Sequence, residues 1–325
     1  MNVSEVRLED VNPDDETCRI SEVLDPPQLE RSLREIGQLN PVVLCDLGSS
    51  GLAIACGFRR HRALQRMGAS SVKARMIPRT EGWPLEAFRL ALWDNLAHRQ
   101  LQPLEIARVL FTLRHTCRLP RILLVRDYLP ALGIAPREDV LENLLGLNTL
   151  DPGLRTQLSE GRLSFTSACR LAAGPPSRQA AFAAFLSAVR LTASMQRQFL
   201  ALVEEIAARD GRAEEEVLSH KDLQDTLADA GLSAFQKGER ACEILYRRRY
   251  PRIAAAEARF ASERGKLSLP GDIRLAHDRF FEKSSIRVEF EADSPERFRA
   301  LASALEKASG SPALYSLFEP GRESR

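Results

Sequence analysis

A glycine placed between an apolar strand and an arginine-rich helix constrains this 325-residue sequence more than any other feature. Gly57 follows the apolar run 52–56 and precedes arginines at positions 59, 60, 62 and 66. Glycine lets a ligand approach the backbone, the first turn of a helix offers unpaired N–H groups, and the arginine fork matches phosphate oxygens. The segment therefore predicts a polyphosphate site, with ligands at Gly57, Arg59, Arg60 and Arg62.

The same spacing also fits a helix that binds nothing. Arg59, Arg62 and Arg66 share one helical face, and apolar residues share another. A solvated charged face above a packed face explains this arrangement without a ligand. The arginines alone therefore leave both interpretations open.

The flanking residues predict where the corner lies in the fold. Apolar runs at 39–46, 52–56 and 72–77 predict three short strands. An amphipathic helix is predicted at 27–36, and Gly37 after it suits the position that ends a helix. The arginine-rich segment thus begins at a strand-to-helix corner, which favours the phosphate site over the solvated face.

Two further motifs lie in order around this corner. Residues 57–63 match the pattern Gly-Glu-Arg-Arg-x-Arg-Ala except at Phe58, where the pattern has glutamate. Residues 32–43 carry a motif before it, and residues 94–105 follow it with a run similar to Glu-Asn-x-x-Arg-x-x-Leu-x-Pro-x-Glu. Together these stretches resemble the amino-terminal nucleotide-binding domain of ParB-type chromosome and plasmid partition proteins, over residues 20–110.

The resemblance and the hydrophobic pattern predict an α+β fold in three parts. Residues 1–82 are expected to form a small mixed-sheet ParB/sulfiredoxin-like domain that binds a nucleotide. Residues 83–175 are expected to form a mostly helical region with a degenerate helix-turn-helix. Residues 176–325 are expected to form a helical and α+β region that serves as a candidate dimerisation region.

The carboxy-terminal part carries no motif, so only its pattern is informative. Residues 178–209 predict one long amphipathic helix, and the chain ends in a strand at 285–291 followed by a helix at 295–308. One strand cannot satisfy its own edges. Its partner must come either from this chain or from a second chain.

The resemblance implies that the corner binds CTP together with Mg²⁺. The implied nucleotide contacts are Gly57, Arg59, Arg60, Arg62, Gly37, Asn40 and Pro41. Asn95 is the implied metal ligand, since a hard cation takes oxygen ligands. Asp94, which replaces a glutamate of the family, is the implied catalytic residue.

Three departures from the family pattern bear on catalysis. Phe58 and Asp94 replace glutamates, and His98 replaces an arginine. Small displacements cost more in a reaction that positions water than in a cradle of charges that only binds. The resemblance therefore implies nucleotide binding and leaves open whether the chain is an enzyme, at most a weak CTPase.

The resemblance also implies contacts with DNA. The expected recognition helix lies near 132–143, with Arg137 and Asn143 as candidate contacts, but three carboxylates at its start would repel phosphates. A second basic cluster comprises Arg247, Arg248 and Arg249. Acidic neighbours on the same helix leave open that this cluster only forms ion pairs on a solvated face.

Composition favours a cytoplasmic protein, and the resemblance implies association with the nucleoid. The net charge of +2 supports nucleic-acid binding only weakly, so local clusters must supply the positive charge. The six cysteines lie singly, and no apolar signal begins the chain, which favours a reducing compartment. No apolar stretch is long enough to cross a membrane. The resemblance implies three partners, which are DNA, a second copy of the chain and a partition ATPase.

Three functions remain open. The leading hypothesis is a ParB-like DNA-binding protein, in which the nucleotide at the Gly57 corner controls a dimeric DNA clamp for chromosome or plasmid partition. The first alternative is a catalytically silent ParB-fold adaptor or transcriptional regulator that acts through its carboxy-terminal half. The second alternative is a ParB-fold nuclease.

Overall fold

The computed structural model describes residues 2–22, 24, 27–48, 51–278 and 285–318. Two compact units make up the chain, Met1–Ser187 and Ala188–Arg325. The first unit contains a small mixed sheet and helices, and the second is helical apart from a two-stranded sheet, so the α+β fold class is confirmed. The division into three parts at residues 82 and 175 stays a prediction.

Four short strands form the sheet of the first unit. They are β1 (Val3–Arg7), β2 (Val42–Asp46), β3 (Leu52–Cys56) and β4 (Ser71–Pro78). In the order β1-β4-β2-β3, β2 runs parallel to β4 and the other neighbours are antiparallel. A parallel pair needs a crossover, which β3 supplies together with helix α2 (Phe58–Arg66). Gly57 is the point where this crossover leaves the sheet.

The core of the sheet region lies between the strands and two helices. Helix α1 (Pro27–Ile36) has the bounds predicted from its apolar pattern. Val42 of β2 and Ile54 of β3 are buried, and Leu33 of α1 and Leu64 of α2 belong to the same apolar cluster. Nearly continuous apolar runs such as these strands are typical of a sheet covered on both faces.

Helices follow the sheet along the chain. They are α3 (Leu85–His98), α4 (Pro103–Phe111), α5 (Arg121–Leu123), α6 (Leu129–Ala131), α7 (Glu138–Gly146), α8 (Pro152–Ser159), α9 (Phe165–Ala172) and α10 (Pro176–Ala188). Segments of π-helix extend α4 at Thr112–Thr116 and join α5 to α6 at Leu124–Tyr128. Asp151 and Ser164 cap α8 and α9, because their side-chain oxygens accept from first-turn N–H groups.

Ion pairs hold the segment before α1 against these helices. The Glu22 Oε1 atom accepts from Arg108 Nε at 3.2 Å and from Arg155 Nη2 at 2.9 Å. Arg108 also pairs with Glu16 at 3.4 Å. Residues before and after position 82 therefore pack together within the first unit.

The second unit contains the remaining elements. They are α11 (Ala193–Asp210), α12 (Glu214–Leu218), α13 (Lys221–Ala228), α14 (Ala234–Arg249), α15 (Pro251–Lys266), β5 (Arg274–His277), β6 (Ile286–Glu289), α16 (Pro295–Ser309) and α17 (Pro312–Leu317). The strand and helix predicted at 285–291 and 295–308 are confirmed as β6 and α16. The antiparallel partner of β6 is β5 of the same chain, so the strand does not need a second chain. Within the described residues, no helix combines the length and the apolar character needed to cross a membrane.

The prediction of one helix over 178–209 is wrong, because the chain breaks between α10 and α11. The Arg190 N–H donates to the Ala234 carbonyl oxygen at 2.8 Å, which holds the break against the start of α14. A Cβ atom on Gly238 would lie 2.4 Å from the Arg190 carbonyl oxygen. The break therefore depends on a glycine in a distant helix.

We predict that Gly238→Ala destabilises the protein and that Gly265→Ala, in α15, does not. An added methyl group at Gly238 meets backbone at 2.4 Å, whereas a methyl group at Gly265 meets no atom within 4 Å. Overpacking costs about 1–3 kcal/mol or more, and the gain in helix propensity, up to about 1 kcal/mol, offsets it only in part. Urea denaturation of the full chain measures both variants, and equal stability of the two would contradict the close packing at Gly238.

Candidate functional site

The corner between β3 and α2 is built on one glycine. Gly57 has φ +101° and ψ 23°, a conformation that side chains rarely adopt. A Cβ atom there would lie 2.9 Å from Val42 Cγ1 and 3.3 Å from Val42 Cα. The backbone of Gly57 therefore lies directly against β2. The N–H groups of the first turn of α2 follow this glycine, which has no side chain.

The apolar face of α2 decides which arginines point away from the core. His61, Ala63 and Leu64 are buried, and Phe58 packs against the apolar cluster of the sheet. Phe58 thus takes a packing position where the family pattern has glutamate. Arg62 is exposed as a consequence, and Arg59 is half-buried.

Arg60 anchors the loop that precedes β2. Its Nη1 atom donates to the carbonyl oxygens of Asn40 at 2.7 Å and Pro41 at 2.5 Å. Burial lowers the pKa of Arg60, and the nearby carboxylate of Asp94 opposes that shift. The guanidinium group therefore ties the loop to α2 and lies within electrostatic range of α3.

The loop itself is held to the sheet by a side chain. Gly37 has φ +69° and ends α1 through its N–H, which donates to Leu33 O at 3.1 Å. Gln38 then places its carboxamide against Lys73 of β4, with Nε2 donating to Lys73 O at 2.8 Å and Oε1 accepting from Lys73 N at 2.7 Å. Pro41 has no N–H to donate, so the Gln38 side chain makes the hydrogen bonds to β4 just before the β2–β4 ladder. The ladder begins at Val42, whereas the sequence predicted a strand from residue 39.

Asp94 of α3 faces the corner from the other side. Burial raises the pKa of the Cys56 thiol to about 12, with Asp94 raising it further and Arg60 lowering it. His98 Nδ1 lies 2.7 Å from the carbonyl oxygen of Asp94. Asp94 therefore lies within electrostatic range of Arg60 and Cys56 at this corner.

Asn95 makes contacts of a different kind. Its Nδ2 atom donates to Ala91 O at 2.8 Å, and its Oδ1 atom accepts from Arg99 Nε at 3.0 Å. Arg99 also donates to Glu105 Oε2 at 2.6 Å and to Ser21 Oγ at 3.1 Å. The carboxamide thus belongs to a hydrogen-bond network that continues away from the corner.

A magnesium ion at Asn95 would have to share the amide oxygen with Arg99. Mg²⁺ needs oxygen ligands at about 2.0–2.1 Å, and the amide oxygen of Asn95 already accepts from a permanently cationic group. Across the residues that the structure describes, no group of three or more His, Cys, Asp or Glu side chains is arranged to hold a metal ion. The role of Asn95 as a metal ligand stays a prediction.

Sequence reasoning missed Arg99 and Gln38. Arg99 lies next to His98, the position at which the family motif has arginine. The available signal was Glu105, a carboxylate inside an apolar helical stripe, since a buried charge needs a partner. No local pattern indicates the contact of Gln38 with Lys73, which joins residues 35 positions apart.

The candidate DNA contacts of the first unit lie at the start of α7 and within it. Arg137 precedes α7 and pairs with Asp139 through Nε at 2.9 Å and Nη2 at 2.6 Å. Arg121 donates to Glu138 at 3.0 Å and also contacts Glu142. The basic groups near the start of α7 are therefore matched by its carboxylates, and Asn143 lies exposed one turn further along.

Two of the three arginines in the basic cluster of the second unit are also paired with acids. Arg247 donates to Glu243 at 2.5 Å, and Arg249 donates to Glu205 of α11 at 2.7 Å. The carbonyl oxygen of Arg248 accepts from Arg209 at 2.7 Å. This pairing supports the alternative in which the cluster forms ion pairs between and within helices.

Two known proteins are similar in sequence to part of this chain. Two proteins named probable chromosome-partitioning protein ParB, one from Pseudomonas putida strain KT2440 and one from Pseudomonas putida, are 31% identical to this chain over 186 residues. Over this stretch the chain is similar to ParB-type chromosome-partitioning proteins. The match covers 54% of this chain and 60% of each ParB relative, so the chain spans about three fifths of their length. No family model matches.

Solved structures of ParB proteins are also similar to this chain. A truncated ParB from Caulobacter crescentus complexed with CTP-gamma-S is 21% identical, with a TM-score of 0.27, and the alignment covers 57% of this chain and 99% of that chain. The truncated Caulobacter crescentus ParB complexed to the centromeric parS site is 20% identical, with a TM-score of 0.34. That alignment covers 59% of this chain and 96% of the Caulobacter chain. A Pnob8-like ParB-N domain is 16% identical, with a TM-score of 0.34, and the alignment covers 70% of this chain and 98% of that domain.

We predict that Gly57→Ala destabilises the ParB-like unit more than Gly68→Ala. Both glycines have positive φ, which costs about 1–2 kcal/mol for a residue with a side chain. At Gly68 the added methyl group meets no atom within 4 Å, whereas at Gly57 it meets Val42. The difference between the two losses, measured by chemical denaturation, should be about 1–3 kcal/mol. Equal losses would mean that Val42 does not constrain the corner.

Proposed function

We propose that this chain is a ParB-like DNA-binding protein that binds CTP at the Gly57 corner. In this proposal the bound nucleotide controls a dimer that closes on DNA, in chromosome or plasmid partition. The observation that carries the proposal is the close approach of the Gly57 backbone to Val42, which places the start of α2, with Arg59 and Arg62, at the strand-to-helix corner. The ParB relatives from Pseudomonas putida support the same assignment.

The corner suits a polyphosphate by its charge as well as its backbone. A nucleoside triphosphate is strongly anionic, and a helix N-terminus next to arginine side chains stabilises such a charge. Arg60 contributes by holding Asn40 and Pro41 in place at the edge of the site. We propose that the corner mainly binds the nucleotide and hydrolyses it weakly or not at all. The reason is that Phe58, at the position of the family's glutamate, packs against the apolar cluster of the sheet.

The remaining parts of the proposal concern partners. DNA, a second copy of the chain and a partition ATPase are the proposed partners, and the cytoplasmic nucleoid is the proposed location. Dimerisation is proposed for the carboxy-terminal region. Because β5 already pairs with β6, the dimer contact there would use surfaces other than the shared edge of these two strands.

Replacing Arg59 by alanine should weaken CTP binding. A charge-assisted hydrogen bond contributes about 1.5–3 kcal/mol, so the dissociation constant should rise at least about tenfold. Isothermal titration calorimetry with CTP measures the change, and Arg62→Ala should behave in the same direction. Arg34→Ala is the matched control, because its side chain is exposed on α1.

Two outcomes would contradict this proposal. Absence of CTP binding by the wild-type chain would remove the nucleotide switch. An equal loss of affinity in the Arg34→Ala and Arg59→Ala variants would move the site away from the corner. Parallel titrations with ATP, GTP and UTP determine whether the base is selected.

A second candidate function is an adaptor or regulator that does not select a DNA sequence. It is favoured by the pairing of Arg137 with Asp139 and by the carboxylates Glu138 and Glu142 at the start of α7. Carboxylates in that position repel the phosphate backbone. The fold would then carry the nucleotide site and use other surfaces for a protein partner.

Binding to duplex DNA separates the two candidates. A partition protein should bind a parS duplex at least about a thousandfold more tightly than a scrambled duplex, which is the usual margin of specific recognition. The adaptor should bind both duplexes alike, within about threefold. Fluorescence anisotropy at fixed salt, with and without CTP, measures these affinities.

A further inference from the structure

The carboxamide of Asn95 is occupied on both of its polar atoms. Nδ2 donates to the carbonyl oxygen of Ala91 one turn earlier, at 2.8 Å. Oδ1 accepts from Arg99 Nε one turn later, at 3.0 Å. These two bonds fix the orientation of the amide along α3, because a flipped amide would place its NH₂ group against a guanidinium that only donates.

Moving the Arg99 side chain away from this position would greatly destabilise the fold. Its Nη1 atom donates to Glu105 Oε2 at 2.6 Å, and the side chain of Glu105 is only 5% exposed. The same carboxylate oxygen accepts from the N–H of Gln102 at the start of α4. Removing one partner of a buried ion pair leaves an uncompensated charge in the interior. The cation next to Asn95 Oδ1 is therefore a permanent part of the fold.

A dication near Asn95 Oδ1 would face the positive charge of Arg99 at short range. Magnesium is usually held by one or two carboxylates together with phosphate oxygens and water. Asp94 is the carboxylate of this region, and it already lies in the field of Arg60. The local charges thus favour an anion at the corner and disfavour a metal on α3.

We propose that this chain binds its nucleotide without a magnesium ion held by Asn95. The negative charge of the phosphates is compensated by the arginine-rich first turns of α2, and Asn95 is a positioning residue that orients Arg99. This inference rests on the proposed binding of CTP at the Gly57 corner. It departs from what the family motif implies for Asn95.

Calorimetric titration of the full-length chain with CTP tests the inference directly. One titration is made in excess EDTA and the other in excess magnesium chloride. The dissociation constants in the two buffers should agree within about threefold. A loss of affinity of about tenfold or more in EDTA, restored by magnesium, would overturn the inference and leave the proposed binding of CTP intact.

Two variants of Asn95 separate a metal ligand from a positioning residue. In Asn95→Asp the carboxylate still accepts from Arg99, and the ratio of the affinities in the two buffers should stay as in the wild type. A metal site would gain affinity only in magnesium from the added anionic ligand, which would overturn the inference. Asn95→Ala should lower the thermal unfolding temperature without nucleotide, equally in both buffers, because Arg99 loses a partner.

Failure of the proposed function gives a different result. If CTP binds in neither buffer, the proposed function and this inference are both overturned. If CTP binds in both buffers but Asn95→Ala weakens it only in magnesium, Asn95 is a metal ligand and only the inference is overturned. Unchanged unfolding of Asn95→Ala would likewise contradict the positioning role.

Discussion

The close approach of Gly57 to Val42 is the contact on which the candidate site depends. Because no side chain fits between them, α2 begins directly at the end of β3, and its first turn faces the loop that precedes β2. This placement lets Arg60 reach the carbonyl oxygens of that loop. The apolar face of α2 must still cover the sheet, and Phe58 takes part in that packing. The anion binding that we propose for the corner therefore depends on how the parallel crossover is closed.

A buried carboxylate organises the neighbouring elements. Glu105 is almost inaccessible at the start of α4, and its charge requires a cation inside the protein. Arg99 supplies that cation and also contacts Asn95 and Ser21, so the end of α3, the start of α4 and the segment before α1 share one polar network. Asn95 is part of the framework that positions these elements. A residue that a motif assigns to ligand binding can thus serve the fold when its neighbour changes.

Much of the corner could be predicted from sequence, because its strands, helices and glycines are specified locally. The helix that ends before Gly37 and the strand after 285 follow from short-range hydrophobic periodicity. The partners of polar side chains could not be predicted, since they depend on tertiary distances. Arg249 meets a glutamate 44 positions away, and Arg60 meets carbonyls about twenty positions earlier. Periodicity also missed the break after α10, which depends on Gly238 in a later helix.

The loop before β2 is joined to the sheet by a carboxamide rather than by backbone. Gln38 occupies the place of a strand residue beside Lys73, with one donor and one acceptor, and also donates to Asn40 O at 3.1 Å. Hydrogen bonds between two backbones break only when the strands separate. Hydrogen bonds from a side chain break when that side chain rotates about its own χ angles. Rotation of the Gln38 side chain therefore releases the loop from β4 on the timescale of a rotamer change, while Arg60 still ties the loop to α2 and the sheet stays intact.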